Sequence, residues 1–246
     1  MCNFLSALVL RNGDVLTHSM LDSHSDLVSY YNLPDDRAHH QHFAKVELTP
    51  VDWLDVTTWI FRLDEHTAPA WWGDVGGQAD TTLRDRAQRM MLTTGRTKLI
   101  ADGCWIAAGD AVIDAVVAGR VVYLGGSAQV GVMRESAKVG EMWGSASVGV
   151  MRESASVGVM RESANVGEMR ESANVGVMRE SAKVGEMWGS AKVGAMRDSA
   201  KVGEMWESAS VGVMRESASV GVMRESANVG EMRESANVGA DYRKKP

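Results

Sequence analysis

From Ser127 onward the chain repeats one nine-residue order of apolar and polar positions, S-A-x-V-G-x-M-R-E, thirteen times, the last copy starting at Ser235. Ala, Val and Met keep their places through the first twelve copies. A helix cannot use this period. Nine residues make about 2.5 turns at 3.6 residues per turn, so successive Met would fall on opposite faces. Each unit also carries a glycine, which costs about 1 kcal/mol in a helix interior. Disordered chains lack such apolar order. The pattern therefore predicts a mainly β protein built on a parallel β-solenoid of stacked nonapeptide units.

Ala and Val stand two apart and share one face of a short strand. Met fills the next inward site, where a flexible thioether suits a narrow core. The glycine is expected to turn the chain with φ > 0. The third and sixth positions should point outward. On one straight strand Glu would face inward beside Met, Ala and Val, so a corner or bulge is expected at Arg-Glu-Ser. A single unit holds too little core to stand alone, and stacking is obligatory. Two units per coil is the expected geometry.

The pattern continues backwards with lower fidelity. "AGRVVYLGG" (118–126) keeps Val121 and Leu124 in the Val and Met slots, and "GDAVIDAVV" (109–117) is read with Val112 in the Val slot. Among the variable positions, Lys138, Lys183 and Lys201 each precede a Glu three residues on (Glu141, Glu186, Glu204), which predicts a local ion pair. Trp replaces Arg at 143, 188 and 206. With two units per coil, Trp188 and Trp206 stack directly and Trp143 lies on the other side. Units 2 to 6 closely match units 9 to 13, an offset of seven units that reads as an internal duplication. An odd offset moves the duplicated block to the opposite side of the rod.

Before the array the pattern changes to that of a small α+β domain. "FLSALVLRNGDVLTHSM" reads as a hairpin, with two apolar runs around Asn12-Gly13. "SHSDLVSYYNL" (23–33) reads as a helix capped by Ser23 or Ser25. "HFAKVELTP" and "TTWIFRLDE" are strand candidates. "TTLRDRAQRMMLTTG" (81–95) reads as a helix with a Thr cap and a Gly stop. "APAWWGDVGG" reads as a loop whose Trp71 and Trp72 form a plug. The expected division is 1–105 for the α+β domain, 106–240 for the solenoid and 241–246 for a capping tail in which Asp241 and Tyr242 replace Met and Arg.

Charge sharpens this division. Residues 1–126 carry 10 Lys+Arg and 16 Asp+Glu, whereas residues 127–246 carry 16 of each. A neutral array with Glu beside nearly every Arg speaks against nucleic acid and against mimicry of DNA. After Cys104 there is no Cys and after His66 no His, so the array lacks an imidazole base and a thiolate ligand. It has no Thr ladder for ice, and too little Asp for a calcium-binding roll. Two cysteines make no disulfide framework, no apolar run reaches the roughly 18 residues of a membrane span, and the N-terminus lacks the features of a signal peptide. A soluble, intracellular protein without membrane contact is expected.

What remains on the array is a surface of Ser, Arg, Glu and Lys ladders with a few Trp. Trp143, Trp188 and Trp206 are the expected interface anchors, flanked by Arg134, Arg152, Arg161, Arg170 and Arg179. No catalytic residue, metal site or cofactor is expected. The alternative is an enzyme or small-ligand binder in the N-terminal domain. It would use Cys2 as an N-terminal nucleophile or the cluster His39, His40 and His42 in "HHQH".

The opening "MCNFLSALVLRNGDVL", the stretch "FAKVELTP", and "GCWIAAGDAVID" running into S-A-x-V-G-x-M units resemble a group of bacteriophage-encoded proteins of unassigned function. In these a short α+β domain precedes a nonapeptide β-solenoid. The resemblance implies phage origin and this fold; with an array that lacks catalytic groups, a non-enzymatic protein in the cytoplasm of the infected bacterial host is expected. Self-association or a host protein would be its partner, with counter-defence as a role. It brings no site residue with it.

Overall fold

A computed structural model describes residues 5–18, 21, 23–34 and 42–243. The chain divides into two compact units, Met1–Met91 and Leu92–Pro246.

The first unit is built on an antiparallel four-stranded sheet. β1 (Leu5–Leu10) and β2 (Val15–Leu16) form the hairpin around Asn12-Gly13, and β3 (Phe43–Thr49) and β4 (Ile60–Leu63) complete the order β2-β1-β3-β4. Gly13 takes φ 90°, the conformation for which glycine is suited. α1 (His24–Tyr30) follows Ser23 in the N-cap position, but the Ser23 hydroxyl bonds Ser25 Oγ at 2.6 Å and does not cap the backbone.

The second helix differs from its expected span. α2 runs Trp72–Arg89, starting within the stretch read as a Trp-Gly loop and ending before Thr93. Its buried residues, Val75, Gly76, Ala79, Leu83 and Ala87, form a face of mostly small side chains, which an apolar count undervalues. Gly76 is needed there because a Cβ would lie 2.8 Å from the Trp72 ring. Trp72 stacks on Phe61 at 6.2 Å and Trp71 meets Trp72 edge-on at 6.4 Å.

The second unit is the solenoid. Its strands alternate between two nine-stranded parallel sheets, from β5 (Met91–Leu92) and β6 (Arg96–Ile100) to β21 (Asn228–Met232) and β22 (Asn237–Tyr242). Val130 pairs Val148 and Met133 pairs Met151, so one coil is two units. Solenoid strands already lie before residue 105, including Cys104 in the strand Cys104–Ala107. These first coils hold Ile100, Ala107 and Val116 in place of Met, which hides them in the sequence. In the second, Ile113 rather than Val112 pairs Val130, so the register expected for 109–117 is corrected by one residue. A side chain one place along would have faced outward.

Ala, Val and Met of the repeat make one continuous core and are at most 2% exposed from Ala128 through Ala227. The glycine of the unit does not turn the chain, contrary to expectation. It sits inside each strand, and the positive φ falls on the ninth residue, at 53–60° in ten of the units where Glu or Asp occupies it. The inward Val and Met are three apart, so strand alternation must break between them. The break is at the glycine: partners match at Val130↔Val148 and Val132↔Val150, and the register passes over Gly131. A Cβ on Gly149 would lie 2.5 Å from the Gly131 carbonyl oxygen, and the same holds within 0.2 Å for every later repeat glycine. Glycine is required because its Cβ direction points along the stack into backbone.

The corner at Arg-Glu-Ser is as expected. A left-handed Glu costs about 1–2 kcal/mol. The Glu ladder supplies a partner for its N–H. Glu135 N–H donates to Glu153 Oε2 at 2.7 Å, Glu153 to Glu171 at 2.8 Å, and Glu162 to Glu180 at 2.8 Å. At the end of the array Met232 is 44% exposed and Tyr242 65%. Tyr242 continues β22 and pairs Arg224 rather than covering the core.

Candidate functional site

The eighth position of each unit lies at the strand exit, just before the corner, so its side chains form one column on each edge of the rod. One column contains Arg134, Arg152, Arg170, Trp188, Trp206, Arg224 and Tyr242, since each residue is one coil of 18 after the last. The other contains Trp143, Arg161 and Arg179. The structure therefore brings together five of the eight residues expected on the binding surface and places the remaining three on the opposite edge.

Trp188 and Trp206 stack with centroids 4.7 Å apart and planes 4° from parallel. The Arg224 guanidinium lies 4.4 Å from the Trp206 ring and 5.4 Å from the Tyr242 ring. Four coils thus carry one continuous stack of Trp, Trp, Arg and Tyr. On the other edge Arg161 lies 4.8 Å from the Trp143 ring. Trp143 and Arg161 correspond to Trp206 and Arg224 through the internal duplication. The Trp–Arg stack was kept while its edge changed.

Two local bonds hold the rings. Trp143 Nε1 donates to Glu141 at 2.7 Å and Trp188 Nε1 to Glu186 at 3.0 Å. Arg170 and Arg233 likewise pair with Glu168 and Glu231, two residues before them. The expected pairing of Lys at the third position with these glutamates is corrected. The sixth and eighth positions are two apart beyond the glycine and share one face of the strand, so the carboxylate meets the Trp or Arg there. Glu204, without such a bond to Trp206, lies 3.8 Å from Arg224.

The columns are held at a cost. Nε of Arg161, Arg179, Arg197 and Arg224 and Nε1 of Trp206 are covered and lack an acceptor. Each such donor costs about 1–3 kcal/mol. Beside them the carboxylate ladder has its own electrostatic signature. Asp198 is held below the ordinary aspartate range, first by the backbone N–H of Glu180 that its carboxylate accepts, and further by the nearby Arg179 and Arg197. A depressed folded value contributes stability above the unfolded value that is lost as pH falls through the folded one. The array's melting temperature is therefore expected to drop below about pH 4. Asp198→Asn should flatten that drop, as followed by circular dichroism between pH 7 and 2.

Of the alternative site, Cys2, His39 and His40 lie outside the described residues, and His42 is exposed ahead of β3. Among the described residues no helix is long and apolar enough to cross a membrane. No family model, curated protein or solved structure matches this chain.

Proposed function

We propose that this protein is a non-enzymatic binding protein whose solenoid recognises another protein, either a second copy or a host protein, through the edge that carries Trp188 and Trp206. The four-coil stack of Trp188, Trp206, Arg224 and Tyr242 carries this reading. Trp, Tyr and Arg are the residues that dominate protein interfaces, and here they are fixed before any partner arrives. Two of the covered donors, Trp206 Nε1 and Arg224 Nε, lie within this stack and support it, because stability is given up where a surface is kept for use. Phage origin, a bacterial cytoplasm and a counter-defence role come with the resemblance of the sequence stretches quoted above and are proposed on that ground alone.

Light scattering on the full chain and on Trp188→Ala/Trp206→Ala is the test. An oligomer that the double variant reduces to monomer identifies the partner as a second copy. If both are monomers, capture from bacterial lysate should recover one host protein with the native chain. The variant should bind it about 30-fold more weakly or worse, the equivalent of about 2 kcal/mol. Equal behaviour of the two chains in both measurements overturns the proposal.

A further inference from the structure

We infer that His24, Glu47 and Asp64 form a divalent-cation site in the N-terminal unit, with zinc as the ion its donors fit best. The three come from separate elements: the first residue of α1, the middle of β3, and the residue after β4. One ligand atom from each lies within 4.8 Å of the other two. No spacing motif joins them, and the sequence gives no sign of the cluster.

The hydrogen bonding of His24 points to an ion. The ring is buried, 6% exposed. Its Nε2 lies 3.0 Å from the Val46 carbonyl oxygen. A carbonyl only accepts, so the proton is on Nε2 and the neutral ring presents a lone pair at Nδ1. Nδ1 lies 3.2 Å from Asp64 Oδ2, and a carboxylate also only accepts. A positive charge must sit between the two atoms. A second proton on the ring would satisfy that one contact. A divalent cation satisfies it and engages Glu47 as well, and it balances both carboxylates.

The His24–Asp64 pair fits an ion: zinc bonds of about 2.0–2.2 Å at tetrahedral angles place neighbouring ligand atoms about 3.3–3.6 Å apart, close to the 3.2 Å between Nδ1 and Asp64 Oδ2. The Glu47 carboxylate, within 4.8 Å of both, would reach the same ion by a side-chain rotation. Metal-bound histidines typically donate their other N–H to a backbone carbonyl, and here Val46 takes that part. Imidazole with two carboxylate oxygens suits zinc over magnesium or calcium, which favour oxygen alone. Arg62, opposite Glu47 in the β3–β4 register, is the competing cation. Asp64 is anchored by its backbone N–H, 2.8 Å from Lys45 oxygen, so its exposed carboxylate is held beside the ring. Three protein ligands leave room for a fourth from solvent. The bound ion would tie a seven-residue helix, too short to be stable alone, to two strands.

The test is zinc titration of the full chain by calorimetry, with thermal unfolding at saturating zinc. Glu47→Gln and Asp64→Asn are compared with His39→Ala/His40→Ala, which controls for binding elsewhere. The native chain should take up one equivalent and melt at higher temperature. Glu47→Gln and Asp64→Asn should each weaken binding by about tenfold or more, while the His39/His40 variant keeps it. Glu47→Gln leaves the His24–Asp64 contact in place, so its fold should survive; should one variant misfold, the other decides. No zinc-dependent shift, or a shift that both carboxylate variants keep, overturns the site. His24 is then a protonated partner of Asp64.

Discussion

Gly176→Ala will split the unfolding of the array into two steps. Its Cβ would lie 2.5 Å from the Gly158 carbonyl oxygen one coil below, and 3.5 Å from that carbonyl carbon. The obstacle is backbone, and no side chain can rotate away. The two coils must move apart, which stretches the hydrogen bonds on either side of the glycine. Overpacking commonly costs about 1–3 kcal/mol, and the upper end is expected where backbone has to give. In a solenoid each coil touches only its neighbours, so the loss is concentrated at one interface and the blocks on either side uncouple. Scanning calorimetry should show two transitions, and amide exchange should quicken first between Asn174 and Met178. Gly77→Ala is the control. It lies in α2, where a Cβ meets nothing within 4 Å, and should leave the unfolding of the array unchanged. One sharp transition at the native temperature for Gly176→Ala would mean that the stack tolerates a side chain there.

Met169→Asp will be the most damaging single change in the core. Met169 is fully buried and pairs Met151 below and Met187 above. Aspartate at this point leaves an uncompensated charge among methionines, which costs about 3–5 kcal/mol. The protonated form avoids the charge but loses the thioether's packing. The chain carries its own comparison, because Asp241 occupies the Met slot of the last strand, where it is exposed and bonds Arg243. The same residue is harmless at an open end and ruinous in mid-stack, where neighbours on both sides exclude water. Limited proteolysis should cut Met169→Asp within the coils around the substitution while the native rod resists. Asp241→Met, by contrast, should raise the melting temperature of the last coil and encourage end-to-end association, since a charge facing inward on an edge strand blunts pairing.

The repeat made the solenoid legible. A strict nine-residue period with three apolar positions admits almost no other packing, and it also set the coil at two units and placed Trp188 on Trp206. Glycine was the misleading residue. Composition links it with positive φ, but here the left-handed position is held by Glu, whose N–H finds a carboxylate one coil away. That acceptor is 18 residues distant and invisible to local reasoning. Glu141 and Glu186 pair with Trp rather than Lys because the sixth and eighth positions are two apart and share a face of one strand, a contact that simple alternation already offered.

The sequence by itself determined the architecture of residues 127–240 and the existence of two edge columns, because a one-dimensional repeat stacks in register and carries every position to its copy. The tertiary structure alone decided the rest. It set the start of the solenoid in coils where Ile, Ala and Val replace Met, and the reach of α2 back to Trp72, whose ring packs over Gly76. It also gathered His24, Glu47 and Asp64 from three elements. Non-repeating residues meet only when strands pair and helices dock, and no spacing in the chain records which of them will do so.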